Sequence, residues 1–222
     1  MSDEHDDDEI HIPEPECGWE NHERKAAEVL GQVEQTEEQR RAQKLLHRGV
    51  PEKDLRLMSS GQLDEGTQPM GEARAFVDDP EIRILVLSGP RGVGKTTAAS
   101  WIMANAPRDR HIATDIIGPR FLDAAELSLV NRYKESELRP LKRASLLVID
   151  DLGIEYFDEK GSFSATFDAI INARYASHLR TVMTTNLVAE EFRERYGVRT
   201  IDRIRECGRF VGVVGESLRR RQ

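Results

Sequence analysis

Cysteine is nearly absent. The 222 residues hold two, Cys17 and Cys207, too far apart in sequence to suggest a disulfide framework. Thiols used this sparingly suit a reducing compartment, so a cytoplasmic location is expected. Long apolar runs are missing as well. None exceeds four residues, as in Leu146–Ile149, whereas a membrane-spanning helix needs about 20; this excludes an integral helical membrane protein. The first residues lack the basic segment of a secretory leader, because residues 1–16 carry eight acids and no lysine or arginine. Aromatic residues are scarce, at 6%, against 32% charged.

The charge that is present is unevenly placed. The net charge of −8 equals that of the acidic tail alone, so the rest of the chain is neutral. The last thirty residues run the other way, with nine arginines against four acids. A pI of 5.4 therefore decides nothing about nucleic-acid partners. Four segments are expected. Residues 1–18 form an acidic disordered tail. Residues 19–48 are helical and serve as a partner-docking region. Residues 49–75, with Gly49, Pro51, Gly61, Gly66, Pro69 and Gly71, form a linker wrapping the next domain. Residues 76–222 form an α/β domain, in which apolar runs at Ile82–Ser88, Ser145–Ile149 and Thr181–Thr185 alternate with helical stretches, the pattern of a parallel sheet flanked by helices.

Three of these features carry chemistry. The run Gly89-Pro90-Arg91-Gly92-Val93-Gly94-Lys95-Thr96 matches G-x-x-x-x-G-K-[ST] in full, with a strand before it and a helix after it. Its backbone amides and the helix N-terminus suit phosphate. Lys95 is placed to reach the β- and γ-phosphates of ATP, and the Thr96 hydroxyl to bind Mg²⁺; Thr97 extends the cradle. Leu146–Ile149 delivers Asp150 and Asp151 at the end of a strand, where ligands of open parallel sheets bind. Because side chains alternate, the two acids divide the work: Asp150 holds the Mg²⁺ shell, and Asp151 orients or deprotonates the attacking water. Glu155 is an auxiliary candidate or a loop stabiliser. The third feature, Thr184-Thr185-Asn186, ends another apolar run, and its amide suits the γ-phosphate or the water.

Near the C-terminus, Arg199 and Arg203 lie at i and i+4 on one helical face. They either pair with local acids or reach a γ-phosphate across a subunit boundary as an arginine finger, Arg203 being favoured over Arg199. A small-molecule kinase built on the same loop would need an arginine-rich lid between the second and third motifs. Gly153–His178 holds one arginine, Arg174, which argues against it. His5, His11 and Cys17 fit no structural zinc spacing.

With these motifs in this order, the chain resembles the AAA+ ATPases of the DnaC/IstB/DnaI type, bacterial helicase loaders and transposon ATP-binding proteins. The likeness covers about residues 49–222. It rests on Leu87–Ala99, Leu147–Glu155, Asn172-Ala173-Arg174-Tyr175, Thr184–Leu187 and the Tyr196–Arg205 segment. The resemblance implies a P-loop NTPase core of about five parallel strands without a C-terminal lid domain. It implies Walker A at Gly89–Thr96, Walker B at Asp150-Asp151, sensor-1 at Asn186 and a trans-acting Arg203. The Gly215–Arg219 ending is also similar to the family's. Asp151 stands where many AAA+ proteins have Glu, so slow hydrolysis is expected. The family implies that ATP binding and hydrolysis load or remodel a DNA-bound partner, a replicative helicase or a transposase, in replication or transposition, within a homo-oligomer sharing its ATP sites. The alternative is a nucleotide-gated adaptor with negligible turnover. Family members act on or beside single-stranded DNA. Candidate phosphate contacts here are Lys134, Arg139, Lys142, Arg143 and Arg219–Arg221, and Phe121, Tyr133 and Tyr156 are candidate base-stacking groups.

Overall fold

A short run rich in apolar and β-branched residues can be buried on both faces of a parallel sheet, and three such runs set the frame here. The computed structural model describes residues 37–106, 115–130, 133–155, 162–215 and 217–218. The acidic tail, Tyr156 and Arg219–Arg221 lie outside the described residues, as do His5, His11 and Cys17. The chain divides into two units, Met1–Gln43 and Lys44–Gln222, and the second holds every site residue described below.

Helix α1 covers residues 37–46. After it come α2 (Glu52–Ser59), α3 (Gln68–Asp78), β1 (Ile84–Ser88), α4 (Lys95–Asn105), β2 (Arg120–Asp123), α5 (Ala124–Ser128), α6 (Glu135–Lys142), β3 (Leu146–Leu152), α7 (Ser162–Ala176), β4 (Arg180–Thr185), α8 (Ala189–Tyr196), α9 (Val198–Cys207) and β5 (Gly208–Gly212). The stretch expected as a linker thus carries α2 and the start of α3. Pro69 occupies the first turn of α3, where its missing N–H costs nothing. All five strands are parallel, in the order β2-β3-β4-β1-β5. The strand ending in Asn186 therefore lies between the strand feeding the Gly-rich loop and the strand ending in the two aspartates. Among the described residues no helix is long and apolar enough to cross a membrane.

Alternation along each strand sorts the core into two layers. Leu85, Leu87, Leu146, Val148 and Val182 face one layer with α2, α3 and α4 residues such as Leu55, Phe76 and Ile102. Ile84, Val86, Leu147, Ile149 and Met183 face the other, with Phe163, Phe167, Phe192, Tyr196 and Ile204 from α7, α8 and α9. Helix α9 joins that layer through Thr200, Ile201, Ile204 and Cys207, a stripe at helical spacing. A buried arginine ties elements of the second layer together. Arg174, 1% exposed, donates from Nε to Thr181 Oγ1 (2.9 Å) and from its terminal nitrogens to the carbonyls of Leu141 (2.9 Å), Ala144 (2.7 Å) and Arg180 (2.5 Å). Burial lowers its pKa to about 9, so it stays charged at neutral pH.

Candidate functional site

The site forms where β1, β3 and β4 end. Asp150 follows Leu146 and Val148 in parity, and Asn186 follows Val182 and Thr184, so both belong to the face covered by α4. This parity brings Asp150 to the start of that helix: Thr96 Oγ1 donates to Asp150 Oδ1 over 3.1 Å. Thr184 Oγ1 donates to the same oxygen. Lys95, 5% exposed, donates from Nζ to the carbonyls of Gly89 (2.7 Å) and Pro90 (2.8 Å) and to Asn186 Oδ1 (3.0 Å). Two hydrogen-bonded groups thus meet at the start of α4, Lys95 with Asn186 and Thr96 with Asp150 and Thr184, joined through the adjacent residues Lys95 and Thr96.

Burial raises the Asp150 pKa from 3.8 to about 6. The hydrogen bonds from Thr184 and Thr96 oppose the rise, and the charges of Asp151 and Asp54 add to it. Thr96 Oγ1 and Asp150 Oδ1 are hard oxygen donors side by side, a donor set suited to Mg²⁺. Asp151 differs from Asp150 in both backbone and direction. It adopts φ +54, its N–H donates to Thr184 Oγ1 (2.9 Å), and the β3–β4 register slips between Ile149 and Leu152. The bulge frees Asp151 from strict alternation at the mouth of the sheet.

Three further contributors complete the site, and of these Asp54 alone has no place in the sequence motifs. Asp54 on α2, fully buried, accepts from Thr97 Oγ1 (2.9 Å) and Ser100 Oγ (2.8 Å), so the Thr97 hydroxyl is committed to α2. Thr184 joins the two strand-end motifs through Asp150 and the Asp151 amide. The third is the stretch after β5, which crosses the Gly-rich loop. Val213 N–H donates to the Ser88 carbonyl (2.6 Å) and Leu218 N–H to the Gly92 carbonyl (3.0 Å). The Gln68 side chain holds the same stretch through the Gly212 carbonyl (3.2 Å) and the Val214 N–H (3.0 Å). Gly92 sits at φ +88, and a Cβ there would meet Ser217 Oγ at 2.4 Å, so conformation and space both require glycine. Asp54, 35 positions before Gly89, belongs to no motif, and the contacts of the tail are not legible in the Gly215–Arg219 ending.

The remaining candidates divide. Glu155 is buried and belongs to a hydrogen-bonded cluster with Gly153, Arg195 and Tyr196. Arg203 is engaged by its own chain, with its guanidinium 3.5 Å from Asp168 Oδ1 and 5.5 Å from the Tyr175 ring centroid, both on α7. Arg199 is exposed, as are Pro90 and Arg91. Phe121, expected as a stacking group, lies instead in the core at 6% exposure, because its strand turns it toward α3 and α4. Tyr133 is 81% exposed. Lys134, Lys142 and Arg143 pair with Glu137 (3.3 Å), Glu135 (2.9 Å) and Asp115 (3.2 Å), and Arg139 is exposed. Among the described residues no group of three or more histidine, cysteine or acidic side chains forms a separate metal centre.

The family model described as IstB-like ATP binding protein matches residues 35–222. An ATP-binding protein of insertion sequence IS232 from Bacillus thuringiensis subsp. berliner is 27% identical over 169 residues, 71% of this chain and 66% of that protein. The replicative helicase loader DnaC of Escherichia coli K12 is 27% identical over 164 residues, 72% of this chain and 64% of that protein. The match thus spans slightly less than two thirds of each relative. The crystal structure of the DnaC helicase loader superposes with a TM-score of 0.53 at 25% identity, covering 65% of this chain and 88% of that one. The structure of DnaI, 21% identical with a TM-score of 0.53 over 69% of this chain and 89% of that one, shares the fold.

Proposed function

The chain belongs to the IstB-like ATP binding protein family, and from that premise we propose that it is a cytoplasmic AAA+ ATPase. It binds ATP with Mg²⁺ on the Gly89–Thr96 loop and uses binding and slow hydrolysis to load or remodel a DNA-bound partner. The observation that carries this reading is the convergence of Lys95, Thr96, Asp150 and Asn186, with Thr96 Oγ1 3.1 Å from Asp150 Oδ1 and Lys95 Nζ 3.0 Å from Asn186 Oδ1. No small-molecule acceptor pocket is needed to explain these residues.

In this mechanism the loop amides and the N-terminus of α4 hold the phosphates. Lys95 exchanges its carbonyl partners for β- and γ-phosphate oxygens. Thr96 and Asp150 would hold the metal, which would supply charge neutralisation at the phosphates. Asp151 orients the attacking water and accepts its proton, and Asn186 fixes the γ-phosphate end. Arg203 completes the site of a neighbouring copy, which requires it to leave Asp168. The partner is a replicative helicase or a transposase; among the relatives one is named a replicative helicase loader and another an ATP-binding protein of an insertion sequence. Single-stranded DNA contacts Tyr133 and the exposed cations near it.

ATP turnover, measured against protein concentration with and without single-stranded DNA, tests the reading. Wild-type turnover rises with assembly. Lys95→Ala abolishes nucleotide binding. Arg203→Ala spares binding and loses the concentration-dependent rate. Unchanged turnover in Arg203→Ala at every concentration would rule out the finger. One observation favours a second reading, a nucleotide-gated adaptor with negligible turnover: within the protomer Arg203 is held by Asp168 and Tyr175. Tight ATP binding with no turnover at any concentration, with or without DNA, would select it.

A further inference from the structure

Glu155 follows the two strand-end aspartates in sequence but faces away from solvent, its side chain 0% exposed. Every oxygen of this residue has a donor. Oε1 accepts from Arg195 Nε (2.7 Å) and from the Tyr196 hydroxyl (2.6 Å), Oε2 accepts from Gly153 N–H (2.7 Å), and the backbone carbonyl accepts from Arg195 (3.1 Å). Its donors come from two places. Gly153 opens the turn that leaves β3, two residues after Asp151, which lies in the bulge. Arg195 and Tyr196 form the last turn of α8, and one residue later, through Gly197 at φ +86, the chain enters α9 with Arg199 and Arg203.

The segment from Asp151 to Gly153, which leads from the bulge into the turn after β3, needs an anchor. Asp151 holds φ +54 and Gly153 φ +104, conformations that a strand does not supply. A Cβ on Gly153 would lie 3.0 Å from Leu187 Cγ, so the turn is pressed against the end of β4. Thr184 secures its near end through the Asp151 N–H, and Glu155 secures its far end through the Gly153 N–H. The α8 side is equally fixed. Tyr196 is packed against Phe163, Phe167 and Phe192, with ring centroids 6.3, 4.8 and 4.6 Å away. Burial and then its bond to Glu155 push its phenol far above the usual range, so it remains a donor.

We propose that Glu155 is a positioning residue that couples the Asp151 turn to the helix pair α8–α9, so that the water-orienting acid and the arginine-bearing helix keep one fixed relation. It touches no phosphate in this scheme and acts through Asp151 and through α9. The proposal rests on the ATPase reading above, and it separates binding from turnover. Lys95, Thr96 and Asp150 make no hydrogen bond to Glu155, so the nucleotide cradle survives its loss, while the Asp151 turn and the entry to α9 lose a shared support.

The test compares wild type, Glu155→Ala, Glu155→Gln and Tyr196→Phe for KM, kcat and binding of a fluorescent ADP analogue, with melting curves for each. Glu155→Ala is expected to keep analogue affinity and KM within about twofold while kcat falls about 10- to 100-fold, the scale of a misplaced reacting group. Glu155→Gln keeps one oxygen for Arg195 and Tyr196 but presents an amide to the Gly153 N–H, and falls between the two. Tyr196→Phe, lacking one donor, loses a few-fold in kcat alone. An unchanged kcat in Glu155→Ala, or a kcat that falls only in proportion to the fraction able to bind the analogue, overturns the proposal. Should Glu155→Ala not fold, Glu155→Gln and Tyr196→Phe decide: wild-type kcat in both overturns it, and a lower kcat at unchanged KM supports it. A wild-type chain that binds no nucleotide refutes the ATPase reading itself. An active wild type with insensitive variants refutes only the coupling.

Discussion

Metal affinity at this site should depend on pH through one carboxylate. Asp150 is pushed from 3.8 up to about 6, chiefly by burial. The native state therefore holds this proton more tightly than the unfolded chain does. The contribution of the group to stability is full below pH 3.8 and is lost as pH rises toward 6. A divalent ion at Thr96 and Asp150 must displace the same proton. For a single group of pKa about 6, the ionised fraction falls from about nine-tenths at pH 7 to about one-tenth at pH 5. Affinity for Mg²⁺ should fall about tenfold over that interval, equivalent to about 1.4 kcal/mol. Calorimetric titration of Mg²⁺ into the protein·ADP complex measures this, with protonation of ADP itself measured in parallel and removed. Asp150→Asn should bind the metal weakly and with no residual pH dependence. Thr184→Val, which deletes a bond that holds the pKa down, should move the midpoint to higher pH. Equal corrected affinities at pH 5 and pH 7, or the same pH profile in Asp150→Asn, would refute the reasoning.

Three further outcomes follow from contacts on the page. Arg174→Ala strands the buried carbonyls of Leu141, Ala144 and Arg180. It should cost more than about 3 kcal/mol at roughly 1–3 kcal/mol per unsatisfied group, read as a lower urea midpoint; a loss within about 0.5 kcal/mol contradicts it. Gly92→Ala places a methyl 2.4 Å from Ser217 Oγ at φ +88. Strain of about 1–2 kcal/mol plus displacement of the Leu218 contact should weaken ADP binding about tenfold or more, and unaltered binding shows that the tail does not support the loop. Asp54→Ala removes the acceptor of Thr97 and Ser100. It should lower stability by about 1–3 kcal/mol, and thermal melting that matches wild type would show that α2 is not held to α4 through this acid.

The parts of this protein that could be read from sequence are those whose signal is local. Strands β1, β3 and β4 are short apolar runs, and the Gly-rich loop and the two aspartates follow them directly, so position and chemistry coincide. Strand β5 offered no such signal. It is bounded by Gly208 and Gly212, is only half-buried, and exists because it pairs with β1. Strand β2 has four residues, one of them an exposed arginine. The glycines and prolines of residues 49–75 suggested a linker, yet the intervening stretches are long enough for two helices, whose apolar faces pack toward α4. In the site, Lys95, Thr96 and Asp150 were marked by spacing. The commitment of Thr97 to Asp54, separated by 43 positions, and that of Arg203 to Asp168, separated by 35, depend on how helices pack. Glu155 read as an auxiliary acid or a loop stabiliser, and its burial and its donors mark it as buried support for the loop.

The most direct measurement is a crystal structure with a non-hydrolysable ATP analogue and Mg²⁺. The account predicts the β- and γ-phosphates within hydrogen-bond reach of the Gly92–Thr96 amides and of Lys95 Nζ, with the metal between Thr96 Oγ1 and Asp150. An analogue bound elsewhere, or a metal held away from both Thr96 and Asp150, would contradict it.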